Sequence, residues 1–317
     1  MRVSLSKAAR QICAYLNLPP NGRLSQQRFA ARANTRRFPV TCCRAGCVLR
    51  LWADIWHFNQ RLRLEQHQLE QHHLNSLRAI LKLARALLHI LIGFFTILLV
   101  FPRLGAEQRQ QRTQAWSLVM LRCIRIKLIV KGNPALNGPM LLVANHMSWL
   151  DITALHAARF CRFVSKADIK KWPFIGLLAS GIGTLFIERE SRRDAMRVVH
   201  HMTASLQAGD VLGVFPEGTT TDGTALLPFH ANLFQAAIAA NAPIQPVALQ
   251  FIDTITGQRS SAPCYVGDDT LAHSVWKTLT TPDLAVVITF GEPQWAEGRD
   301  RRALAKGMQQ AVADLLN

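Results

Sequence analysis

Met140-Leu141-Leu142-Val143-Ala144-Asn145-His146-Met147-Ser148-Trp149-Leu150-Asp151 decides how this chain is read. Five apolar residues in a row, with no alternation, suit a strand buried on both faces. A short polar turn follows, and then a helical pattern running from Trp149 to Ala158. Strand, turn, helix is the repeating unit of an α/β domain. The turn also places a histidine at a strand end, where a polar side chain can be presented in a cleft. Ser148 suits the N-cap of the following helix, which puts Asp151 at its third position. An acid there can hold the His146 imidazole in one tautomer and stabilise its charged form, as a general base requires. Ser148-x-x-Asp151 also reads as a capping box, a purely structural device.

Working outward, short apolar strands alternate with helical segments over the C-terminal two thirds. The expected strands are Ile124–Val130, Met140–Ala144, Phe160–Ser165, Thr184–Ile187, Val211–Phe215, Ile244–Phe251 and Leu284–Phe290. The expected helices are 106–123, Trp149–Ala158, Trp172–Ser180, Arg192–Gln207, Ala231–Ala240 and Arg301–Leu316. The architecture this predicts is an α/β domain with a mostly buried sheet flanked by helices.

Upstream the chain is different. Residues 1–85 carry 15 Lys+Arg against 3 Asp+Glu, whereas residues 86–317 carry 22 against 17. A basic arm attracts polyanions, either nucleic acid or an anionic membrane surface. It has no zinc spacing or other nucleic-acid motif, which favours the membrane. Residues 1–20 contain no continuous apolar core of the secretory-signal kind before Pro19-Pro20. Residues 21–50 are Arg-rich and broken by Gly22, Pro39 and Gly46, which predicts irregular structure; residues 60–85 are helix-forming. The uncharged run Ala86–Phe101, flanked by Lys82, Arg85 and Arg103 and closed by Pro102, predicts membrane contact. Its 16 residues fall short of the ~20 that a perpendicular span needs, so a span and a helix within one leaflet both remain open. The expected division is 1–78 as basic extension, 79–104 as membrane-associated helix and 105–317 as the α/β domain. Seven cysteines without paired spacing predict reduced, cytosol-facing thiols.

Three further blocks sit at strand ends. Phe215-Pro216-Glu217-Gly218-Thr219-Thr220-Thr221-Asp222-Gly223 ends a strand at a residue without an N–H and continues through a flexible glycine. Hydroxyls and backbone N–H groups there suit an oxyanion. Gly183-Thr184-Leu185-Phe186-Ile187-Glu188-Arg189 delivers Arg189, and Pro243–Leu249 is a further apolar strand. No Gly-x-Ser-x-Gly elbow presents a serine nucleophile, which argues against a serine hydrolase.

In this order, the four blocks at 145–151, 183–189, 215–219 and 244–248 resemble the glycerolipid acyltransferase family, whose best-known members act on 1-acylglycerol-3-phosphate. The resemblance covers roughly 80–290, and it implies a single acyltransferase domain on a membrane. Carried to these positions, it implies His146 as the general base for a lysolipid hydroxyl and Asp151 as its orienter. Arg189, Glu217, Gly218 and Thr219 would then surround the acceptor's polar head, and Lys166 resembles a phosphate-contacting lysine. The donor is acyl-CoA or acyl carrier protein, and no metal or other cofactor is expected. The family also implies membrane lipids as partners and a site facing the cytoplasm at a bacterial inner membrane. Many phosphatidate-forming members carry Arg where this chain has Thr220, so a lyso-ornithine lipid is the alternative acceptor.

Overall fold

The computed structural model describes residues 44–172, 175–187 and 192–317. Two compact units divide the chain, Met1–Leu64 and Glu65–Asn317. Helix α1 spans Arg44–Phe95. Its first residues, 44–50, are helical rather than irregular as the sequence suggested. A single glycine at 46 costs a helix only about 1 kcal/mol relative to alanine, and Arg44, Ala45, Leu49 and Arg50 around it are good helix formers. The helix widens over Thr96–Val100 and ends in one tight turn, Phe101–Arg103, where Pro102 cannot continue the ladder. Over His73–Arg103 it is long and apolar enough to cross a membrane.

Helix α2 (Ala106–Cys123) leads into a seven-stranded sheet. Its strands are β1 (Lys127–Lys131), β2 (Met140–Ala144), β3 (Arg162–Lys166), β4 (Leu185–Ile187), β5 (Val211–Val214), β6 (Ile244–Asp253) and β7 (Leu284–Phe290). They lie in the order β1-β7-β6-β2-β5-β3-β4. All neighbours are parallel except β6 and β7. The first strand begins at Lys127 instead of Ile124, because Arg125 adopts φ 60° and interrupts extended backbone. The expected helices are present as α3 (Leu150–Ala158), α4 (Ile175–Gly181), α5 (Arg192–Gln207), α6 (Phe234–Ala240) and α8 (Arg301–Leu316). Helix α7 (Leu271–Thr280) has no counterpart in the sequence reading.

The sheet has a core on each face. All five β2 residues are buried, and they alternate: Met140, Leu142 and Ala144 join one core while Leu141 and Val143 join the other. That is why the sequence shows an unbroken apolar run. The first core includes residues of α1, α2, α3 and α7, and the second includes residues of α5, α6 and α8. Because β2, β5, β3 and β4 are parallel, the turns that follow them emerge at one edge of the sheet, the usual place for a site in α/β folds.

Candidate active site

The turn after β2 is fixed first by Asn145. Its buried side-chain amide donates to Leu249 O at 3.0 Å and accepts from Leu249 N at 2.8 Å, so it continues the β2–β6 ladder past the end of the strand. His146 comes next. Its Nδ1 lies 2.7 Å from Asp151 Oδ2, with the imidazole 20% exposed and the carboxylate fully buried. The same Oδ2 accepts from Met147 N at 2.6 Å and from Ser148 N at 2.8 Å. Three N–H groups converging on one oxygen offset the cost of burying the carboxylate. With Nδ1 engaged, Nε2 is the nitrogen available to accept a proton.

Ser148 plays a different part from the expected N-cap. The helix starts one residue later, with Trp149 in the cap position. Ser148 Oγ accepts from Leu150 N at 3.2 Å and donates to Pro263 O at 2.6 Å. The Asp151 half of the box is formed, through its bond to Ser148 N. One carboxylate therefore supports both the helix start and the histidine.

The turn after β5 supplies the other side. Phe215 stacks on His146 with ring centroids 4.1 Å apart and planes 9° from parallel, and Phe163 of β3 stacks on Phe215 at 5.4 Å. The stack sets the plane of the imidazole. Gly218 takes φ +75°, the left-handed conformation its tight turn needs, with its N–H on Phe215 O at 3.1 Å. Glu217 points inward. It is buried, and its two carboxylate oxygens accept from His146 N at 2.8 Å and Leu227 N at 2.9 Å. Burial pushes this carboxyl above the ordinary glutamate value, and the two N–H groups partly oppose that. Glu217 therefore holds the backbone of the histidine instead of lining open space. Thr221 N adds a bond to His146 O at 2.9 Å.

Sequence reasoning missed the segment that closes the third side, 260–266. Tyr265 N donates to Met147 O at 2.9 Å, and Thr220 Oγ1 donates to Tyr265 O. Gly223 is pressed against the same turn, since a Cβ there would lie 2.3 Å from Met147 Sδ. Of the other expected residues, Gly218 and Thr219 are exposed at the rim. Lys166 ends β3, opposite Ile187 of β4. Its side chain and the whole of Arg189 lie outside the described residues. Among the described residues, no group of three or more His, Cys, Asp or Glu side chains is placed to hold a metal.

A family model described as "Acyltransferase" matches residues 123–250. The 1-acyl-sn-glycerol-3-phosphate acyltransferase of Neisseria gonorrhoeae is 39% identical over 57% of this chain and 71% of its own length. The lyso-ornithine lipid O-acyltransferase of Pseudomonas aeruginosa is 38% identical over 64% of this chain and 78% of its own length. Among solved structures, the 1-acyl-sn-glycerophosphate acyltransferase PlsC of Thermotoga maritima matches with a TM-score of 0.57 at 18% identity, over 78% of this chain and 96% of that one. At that identity the likeness speaks to the fold.

Proposed function

Since the chain belongs to the glycerolipid acyltransferase family, and is an acyltransferase enzyme, we propose that it moves a fatty acyl group from a thioester donor to the free hydroxyl of a lysolipid. The donor is acyl-CoA or acyl carrier protein, and the acceptor is 1-acyl-sn-glycerol-3-phosphate, giving phosphatidate. The observation that carries this reading is the 2.7 Å His146–Asp151 contact in a half-open position, with Nε2 left for a substrate proton.

In this mechanism His146 Nε2 takes the proton of the acceptor hydroxyl as its oxygen attacks the thioester carbonyl. Collapse of the tetrahedral intermediate expels the thiolate, which takes the proton back from the imidazolium. Atoms and charge balance without an acyl-enzyme. Asp151 stabilises the imidazolium, and Glu217 fixes the histidine's backbone. By the family resemblance, Lys166, Arg189, Gly218 and Thr219 would contact the acceptor's head. General-base assistance of this kind contributes ~10²–10⁴ in rate.

A second acceptor, a lyso-ornithine lipid, is favoured by one observation. Thr220 is uncharged and so offers no cation to a phosphate, and its hydroxyl is already donated to Tyr265 O. The test is an acyl-transfer assay that offers the purified protein both lysolipids in parallel, with acyl-CoA and acyl carrier protein as donors. Faster turnover of lysophosphatidate supports the first reading, faster turnover of lyso-ornithine lipid the second, and no transfer to either overturns both.

The apolar stretch of α1 supports a membrane location. Its outward residues, among them Leu88, Leu91, Ile92, Phe95 and Leu99, are exposed. Its inner side meets the domain from Lys82, which donates to Leu279 O at 2.8 Å, to Ile97, which lies against Gly181. Those 16 residues, 15 rises, span roughly 22 Å of helix. Protein touches only one side of this stretch, and most of its surface is open to lipid. We place it in one leaflet, outward face in the acyl region and the site toward the cytoplasm.

A further inference from the structure

Helix α7 buries two hydroxyl residues and exposes a tryptophan, with Val275 packed on the core and Ala272 and His273 exposed beside it. Its inward positions are Ser274, Thr278 and Leu279, all buried, and Thr278 Oγ1 turns back to Ser274 O at 2.8 Å. Its outward positions include Leu271, 38% exposed, and Trp276, 40% exposed; Val266, in the loop just before it, is 40% exposed. A helix facing water puts its hydroxyls out and its tryptophan in.

The position of α7 gives the reversal a meaning. Lys82 of α1 donates to both Leu279 O and Thr281 O, at 2.8 and 3.4 Å, and so ties the C-terminal end of α7 to the inner side of α1. On the outer side of α1 near that level, Leu77, Ile80 and Leu81 are exposed. Lys82 therefore joins the end of α7 to the helix that carries these exposed apolar residues. The loop leading into α7 is the one bonded to the candidate site, through Ser148 Oγ to Pro263 O and Tyr265 N to Met147 O. Tryptophan favours the boundary between acyl chains and head groups, where its ring is buried and its N–H stays wet.

We propose that the outer face of α7, with Trp276, Leu271 and Val266, is a second membrane-contact element, and that it sets the depth of the His146 site at the bilayer interface. The occupant is the lipid surface. The proposal rests on the reading of α1 as a membrane element but not on the identity of the acceptor.

The test uses the full chain labelled with 5-fluorotryptophan and bound to vesicles of phosphatidylethanolamine and phosphatidylglycerol. The Trp276 resonance is identified by its loss in Trp276→Phe. Trp295, exposed and next to Ala296 of the opposite core, is the internal control. A nitroxide carried high on the acyl chain is expected to broaden Trp276 and spare Trp295, while an aqueous gadolinium chelate does the reverse. Broadening of Trp276 by gadolinium, or by neither agent, overturns the proposal; the second result would mean that protein covers this face. In a second arm, the pair Leu271→Ser and Trp276→Ser lowers turnover of vesicle-embedded lysolipid by about fivefold or more. Turnover of a short-chain acceptor dissolved as monomers stays unchanged, as does the melting temperature. Equal loss on both acceptors overturns the depth role. The paramagnetic result needs no turnover, so it still decides if the acyltransfer reading fails.

Discussion

Two regions of this molecule reverse the ordinary distribution of polar and apolar groups, in opposite senses. Around the turn after β2, polar side chains are buried: Asn145, Ser148, Asp151 and Glu217 all lie inside. Along α1 and α7, large apolar side chains are left outside. In the first region most of the described buried polar atoms have a partner, while the apolar residues of the second keep about half of their surface open. The difference shows where each region does its work. A polar network with three N–H groups on one carboxylate oxygen holds one geometry, as proton transfer requires, whereas an open apolar face is completed only by another phase. If this contrast is right, small chemical changes in the first region should cost activity. Changes in the second should cost docking or stability and leave the chemistry alone.

The largest effect is expected at the base. His146→Ala should lower kcat by roughly 10²–10⁴, the share a positioned base contributes, while the melting temperature and vesicle binding stay near those of the parent. Asp151→Asn should approach that loss, because a neutral amide oxygen in the place of Oδ2 lacks the negative charge that stabilises the imidazolium and is the weaker acceptor for the three N–H groups. Single-turnover acyl transfer checks both. A His146→Ala enzyme with parental kcat would remove the base from the mechanism and with it the functional meaning of the buried network.

Next in size is Glu217→Ala, which orphans His146 N and Leu227 N. A buried donor left without an acceptor costs ~1–3 kcal/mol, so two part-buried donors set a loss of up to about 6 kcal/mol, read by denaturant titration. Activity should fall as well, because the histidine's backbone loses its tether. A variant of parental stability would show that Glu217 lines the substrate space after all.

On the other side of the comparison stands Gly93→Leu. A Cβ on Gly93 would lie 2.5 Å from Trp116 Nε1. Trp116 and His89 are joined by two bonds, His89 Nε2 to Trp116 O at 2.9 Å and Trp116 Nε1 to His89 O at 3.2 Å. Displacing Trp116 breaks that clasp between α1 and α2. Overpacking of this kind costs about 1–3 kcal/mol. The expected outcome is a lower melting temperature with kcat on a monomeric short-chain acceptor unchanged. A kcat loss as large as that of His146→Ala would dissolve the separation of the two regions.

The same contrast explains what the sequence disclosed. The sheet was legible because buried parallel strands leave unbroken apolar runs, as in Met140–Ala144. His146 and Asp151 were legible because their spacing of five is local, set by one turn and the start of one helix. Glu217 was found as a residue but not as a role: its partner is 71 positions away, and nothing in Phe-Pro-Glu-Gly says that the carboxylate turns inward. Tyr265 and Pro263 left no signal, since they act through backbone groups. Helix α7 was missed for a physical reason. Ser274 and Thr278 are buried beside Leu279 while Leu271 and Trp276 are exposed, so neither face is purely apolar or purely polar.

The smallest effect tests the polar side by pH. Burial raises the Glu217 carboxyl, so the folded chain holds that proton to a higher pH than the unfolded chain does. Between the ordinary glutamate value and the folded one, the folded state binds more protons, and this group's contribution to stability falls as pH rises. Glu217→Gln cannot titrate. Its amide oxygen can serve one of the two N–H groups while its NH₂ opposes the other, so the variant should be less stable than the parent at acid pH. The gap should narrow as pH increases through that window, because only the parent loses stability from this group. Denaturation midpoints at several pH values read the sign directly. A gap that widens with pH would mean that the two backbone donors outweigh burial, and that Glu217 is held as a stabilised anion beside the histidine.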